Sequence, residues 1–115
     1  MESPSRTFRR ALLTNPTFVA LALPGLAQAQ SNDPSFRLNN RGTVAIREVY
    51  VSSSAVNNWG PDRLGSNMLP PGRSLAIQLP RGQCLNDIRL VLENGQSTER
   101  RRMDTCRIQE LNYPN

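Results

Sequence analysis

The sequence predicts an all-β domain: a small antiparallel β-sandwich, or a partly open barrel, with one disulfide and one long irregular loop. Three observations lead there. Short runs of alternating apolar and polar residues are separated by Gly- and Pro-containing turns, and no run carries a helical period for more than about a turn. The stretch Cys84–Cys106 runs apolar into Asn94-Gly95 and polar out of it, with a cysteine near each open end, as a stapled β-hairpin does. The chain has 115 residues, enough for one domain with a small core.

Residues 1–29 read as a cleavable export signal. Arg6, Arg9 and Arg10 form a basic start, Phe18 to Leu23 an apolar core, and Ala27-Gln28-Ala29 a small-x-small site that places cleavage between Ala29 and Gln30. The apolar core is too short to span a bilayer, and no other segment is apolar enough to be transmembrane. Arg9-Arg10-Ala11-Leu12-Leu13 resembles a twin-arginine export motif, with Phe8 and Thr14 departing from its usual flanks. The expected location is periplasmic or secreted, by the Tat or the Sec route. In an oxidising compartment, Cys84 and Cys106 are most simply a disulfide; Cys-x-x-Cys spacing and histidine, which redox or metal roles would need, are both missing.

Residues 30–35 form a polar leader holding Pro34, expected to be flexible, and a single β-domain is expected over residues 36–111, followed by a tail, 112–115. Phe36-Arg37-Leu38-Asn39 alternates and reads as a first strand; Asn40-Arg41-Gly42 turns the chain. Thr43 to Ser52 is the clearest strand, rich in β-branched residues. Val44 and Ile46 differ in parity from Val49 and Val51. Either a bulge near Arg47-Glu48 aims all four at the core, or the strand is buried on both faces for part of its length. Tyr50 then faces away from Val49 and Val51 and can cover a second surface.

Ser53 to Gly72 is the long irregular segment, with the only tryptophan. Ser52-Ser53-Ser54 is placed to cap a short helical turn through Trp59. Trp59-Gly60-Pro61-Asp62 and Pro70-Pro71-Gly72 read as tight turns. Arg73 to Pro80 alternates, with Leu75, Ile77 and Leu79 on one face, and Ile108 and Leu111 suggest a last short strand. In the hairpin, a two-residue Asn94-Gly95 turn pairs Glu93 with Gln96 and leaves Cys84 facing Thr105, one residue short of Cys106. A cross-strand disulfide needs Cβ atoms about 4 Å apart. One extra residue on the returning strand, a bulge most naturally in the run Arg100-Arg101-Arg102, is therefore expected.

The ordered signature Val49-Tyr50-Val51-Ser52, Trp59-Gly60, Asp62, Leu64-Gly65, Leu69-Pro70-Pro71-Gly72, Cys84, Asp87-Ile88-Arg89, Asn94-Gly95, Glu99 and Cys106 resembles a group of small exported proteobacterial proteins labelled as twin-arginine-pathway signal proteins. The resemblance spans roughly Phe36 to Cys106. It implies a small exported β-domain and carries no catalytic residue with it.

The chain has no histidine and no lysine; its fourteen basic residues are all arginine. Missing histidine removes the commonest general base and metal ligand. From Gln30 onward eleven arginines against eight acids leave +3, an ordinary surface charge. No metal or cofactor pattern is present: Asp62, Asp87, Glu99 and Asp104 lack EF-hand spacing, and no serine has an activating partner or a Gly-x-Ser-x-Gly setting. Trp59, Asp62 and Arg63 form the candidate binding loop: Trp59 can stack a sugar or aromatic ligand, with Asp62 and Arg63 fixing its polar groups. The structural alternative, favoured on the need of a small domain for core, makes Trp59 a lid over an open end and Asp62 a cap on the loop's own amides. Along a strand, Arg100 and Arg102 share a face and Arg101 opposes them, which reads as charge protecting an edge strand. Export and scarce aromatics argue against nucleic acid. The expected role is a non-enzymatic binding or accessory module with a protein or small-molecule partner. The alternatives are a small carboxylate-based hydrolase and an inhibitor of a secreted enzyme.

Overall fold

A computed structural model describes residues 31–115, and the expected export signal with its Ala29–Gln30 junction lies outside the described residues. Six strands follow in chain order: β1 (Phe36–Asn40), β2 (Ile46–Ser53), β3 (Ser74–Ile77), β4 (Leu85–Leu92), β5 (Ser97–Asp104) and β6 (Glu110–Tyr113). They form two three-stranded sheets, β3-β1-β6 and β2-β4-β5. Apolar side chains from one face of each pack into a shared core. The all-β, disulfide-bonded sandwich that the sequence predicts is the fold observed. No helix among the described residues is long and apolar enough to cross a membrane.

The core follows from period-2 alternation. Leu75, Leu38 and Leu111 lie side by side across the first sheet, because Leu38 pairs with both. Val49 pairs with Leu90 and Val51 with Ile88 across the second. Leu38, Val49, Ile77 and Ile88 are almost wholly buried. In β4 the run Leu90-Val91-Leu92 is buried throughout, as befits the middle strand of three. β2 carries its bulge between Ile46 and Glu48, so Ile46, Val49 and Val51 all reach the core. Of the two arrangements open for this strand, the bulge is the one present.

Several elements differ from expectation, each for a local reason. The last strand runs past Leu111 to Tyr113, because it adds to β1 in parallel and pairs Asn40 with Tyr113; the tail expected over 112–115 is therefore half strand. The leader expected to be flexible is pinned: Pro34 is buried, Asn32 accepts from the Gly82 amide at 3.0 Å, and the Ser35 hydroxyl accepts from the Leu79 amide at 3.1 Å. No helical turn follows the serines. Ser53 instead closes a simple turn, its carbonyl accepting from Val56 and its hydroxyl from Ala55.

The hairpin turn is the main correction. It is a three-residue loop, Glu93–Gly95, rather than a two-residue one. Leu92 donates to Gln96 at 2.8 Å, Gly95 donates to Leu92 at 2.9 Å, and Gly95 takes φ 91°, the left-handed position this loop length requires. Near the turn Val91 therefore pairs with Ser97 and Ile88 with Arg100. By itself that register would carry Cys106 two residues beyond Cys84. Two devices absorb the offset. A bulge in the arginine run, with Arg102 at φ 55°, moves the pairing so that Asn86 meets Met103 and Leu85 meets Asp104. The chain then winds into a 3-10 turn, Thr105–Arg107, capped by the Asp104 carboxylate, which accepts from the Cys106 amide at 3.1 Å. Thr105 still donates to Cys84, and Cys106 swings beside it to close the disulfide at a Cα separation of 5.0 Å. A staple of this span contributes about 3 kcal/mol in the chain-entropy treatment.

Candidate functional site

The three residues of the expected binding loop part company in the structure. Asp62 and Arg63 hold the long loop against the open edge of β2. Asp62 Oδ1 accepts from the amides of Val49 at 2.9 Å and Leu64 at 3.0 Å. The Arg63 amide donates to the Val49 carbonyl at 2.7 Å, and its guanidinium donates to the carbonyls of Gln78 and Val51 at 3.1 and 3.2 Å. These contacts satisfy backbone groups that an uncovered edge strand would expose. Asp62 thus caps its own loop and the sheet edge together.

Trp59 lies elsewhere, on the outer face of the β2-β4-β5 sheet. It is half-buried and takes no part in the apolar core, so it is not a lid over an open end. Tyr50, whose parity opposes that of Val49 and Val51, meets it with ring centroids 6.5 Å apart. The Arg101 guanidinium stacks over the indole at 4.8 Å from its centroid, a cation–π contact. The Tyr50 hydroxyl donates to Glu48 at 2.7 Å, and that bond is the first cause raising its pKa above the usual phenol value.

Arg101 faces Trp59 by strand parity. Arg100 pairs with Ile88 and reaches Asn115 at 3.2 Å, so Arg101, the next residue, stands on the outer face. The device that holds the bulge is Asp87. Its carboxylate accepts from the Arg102 amide, freed from the ladder, at 3.0 Å, from the Ser54 hydroxyl at 2.7 Å and from Arg101 Nη1 at 2.9 Å. Those bonds, the Arg102 amide first, hold its pKa below the ordinary carboxylate value although it is only 6% exposed. Arg101 also donates to Glu99 at 2.9 Å, and both carboxylates hold its guanidinium firmly in the charged form. Arg89 Nε, 3.9 Å from Glu99, is buried with no hydrogen-bond partner among the described residues.

Above this layer the loop from Ser54 to Gly60 leaves a cavity of about 120 Å³. Ser52, Asn57, Asn58, Trp59, Asp87 and Arg101 bound it, with the exposed Val56 at its rim. Of these only Trp59 was singled out as a ligand contact in the sequence. The usable signal for the others was parity: Tyr50 and Ser52 on β2, and Asp87 and Arg89 on β4, alternate with the core residues and so share the opposite face. For Arg101 the hairpin register had to be known first, because it sets Arg100 opposite Ile88.

Elsewhere, Cys84, Asp104 and Cys106 bring ligand-type atoms within 4.8 Å of one another, but both sulfurs are joined in the disulfide. Comparison with protein-family models, with curated proteins and with solved structures yields no match.

Proposed function

We propose that the protein is an exported, non-enzymatic binding module that meets its partner through the outer face of the β2-β4-β5 sheet and the loop from Ser54 to Gly60. The observation that carries this reading is the setting of Trp59. It is an aromatic ring outside the core, fixed between Tyr50 and Arg101 and bordering a cavity. Rigid aromatic side chains give contact area at low entropic cost, and fixed polar groups around them set a ligand's orientation. The hydrolase alternative fares worse. Asp87 and Glu99 grip the same guanidinium, and Asp87 is held in its anionic form, a poor proton donor.

Export rests on the basic, apolar and Ala27-Gln28-Ala29 segments together with a disulfide that suits an oxidising compartment. On this reading the chain belongs with the small exported proteins its signature resembles. Intact mass of the protein recovered from the periplasm tests the address: a chain beginning at Gln30 is expected, and an uncut chain retained in the cytoplasm would refute it. The binding face is tested by NMR on the ¹⁵N-labelled domain against a library of neutral sugars, amino acids and short peptides. Shifts should gather at residues 50–59 and 87–101, with the Trp59 indole among them. Shifts centred on the β3-β1-β6 face, or none with any compound, count against the reading.

A further inference from the structure

The cavity beside Trp59 has a chemistry that narrows its ligand. Its charges are already matched: Arg101 is paired to Asp87 and to Glu99, each at 2.9 Å. An incoming anion or cation would have to break a pair that the fold itself uses. Its remaining groups are neutral and versatile. Asn57 and Asn58 are exposed, and their carboxamides make no hydrogen bond among the described residues. Each offers both a donor and an acceptor. The Ser52 hydroxyl does the same, and the Trp59 indole N–H, with no hydrogen bond among the described residues, adds a donor. Space of about 120 Å³ admits a few waters, or the hydroxyls along one edge of a ring.

From this we infer that the site beside Trp59 takes a neutral, hydroxyl-rich ligand, a single unit of a neutral oligosaccharide. Each sugar hydroxyl both donates and accepts, matching two carboxamides and a hydroxyl. Val56 at the rim, 49% exposed, is left to meet the apolar C–H surface of the ring, because Arg101 already covers the indole. A peptide segment would match less well, because its amides and carbonyls have fixed polarity. The inference rests on the binding face proposed above and specifies what that face recognises.

The test is a titration of the domain, following Trp59 fluorescence and ¹⁵N shifts, with maltotriose, cellotriose and chitotriose. A trimer of galacturonic acid and a set of tripeptides run beside them. Trp59 is the only tryptophan, so the optical signal reports one place. At least one neutral trimer should give a saturable change, with affinity altered less than about twofold between low and high salt because no net charge is engaged. The double variant Asn57→Ala/Asn58→Ala, at exposed positions without internal partners, should keep the fold and lose about tenfold or more in affinity. Binding that survives this change overturns the inference, as does preference for the acidic trimer. If tripeptides move the Trp59 face and no sugar does, the sugar assignment falls while the binding face stands. If nothing moves that face, both fall.

Discussion

The two outer faces of the sandwich are both polar, and they are built differently. On the β3-β1-β6 sheet the outward side chains satisfy one another in a flat ladder. Arg37 pairs with Glu110 at 2.8 Å, Asn39 donates to Glu110 and Asn112 at 2.7 and 2.9 Å, and Ser74 donates to Asn39. On the β2-β4-β5 sheet a bulge, a buried carboxylate and a loop raise a second layer, with Trp59 at its surface and a cavity beneath. The difference teaches where to look. A self-satisfied polar ladder meets water and needs nothing else, whereas a layered face with free carboxamides has capacity left over.

The largest expected effect is on the buried side of that contrast. Asp87→Ala removes the acceptor for a bulge amide, a hydroxyl and a guanidinium at once, and should destabilise by about 3 kcal/mol in urea unfolding. It should also release Arg101 and shift Trp59 emission. A loss under about 1 kcal/mol would show that the bulge does not need Asp87, and the two faces would then differ less than they look.

Acid should act in the same direction. Asp87 has a folded pKa below its unfolded value, so its stabilising contribution is present above about pH 4 and is lost as pH falls through the folded value. Unfolding free energy measured from pH 6 to pH 2 should therefore drop. Asp87→Asn should lower stability at neutral pH and flatten part of that slope. The depressed carboxyl groups of Glu110, held by Arg37, and Asp33, held by the Ser35 amide, account for remaining slope. An unchanged slope in Asp87→Asn would place the acid sensitivity elsewhere.

Smaller effects sharpen the comparison. Trp59→Ala should cost about 1–2 kcal/mol, the worth of an exposed cation–π contact and a tilted aromatic pair, and should leave the fold intact. A loss of about 3 kcal/mol or more, as for a core aromatic, would make Trp59 a structural residue. Smallest of all, Glu110→Ala breaks only exposed pairs and should leave the urea unfolding midpoint nearly unchanged, with any change shrinking in high salt.

Much of this fold was legible because β-structure has a short period. Alternation placed Leu38, Val49, Val51, Ile77 and Leu111 toward a core, and a break in parity located the β2 bulge. The candidate site was legible only in part. Trp59 stood out by rarity and by lying in a long loop. Asp62 and Arg63 stood beside it in sequence, yet their hydrogen bonds run to the β2 edge, which becomes a demand only once that edge exists. Asp87 and Arg101, fourteen residues apart, meet because the hairpin register sets them side by side, and a bulge opposite Asp87 frees the Arg102 amide to join them.

The amino-acid sequence alone determined an all-β class and a cysteine staple, since spacing and parity are properties of the chain; it pointed to a kink in the arginine run, but from a two-residue turn that the fold replaces. Tertiary structure decided the rest. It chose a three-residue hairpin loop, and so a 3-10 turn beside the bulge to bring Cys106 home. It laid β6 parallel to β1, and it sorted one loop into an anchored half and an exposed half. Those outcomes depend on which backbone edges and buried charges need partners, and such needs arise only when distant strands are brought together.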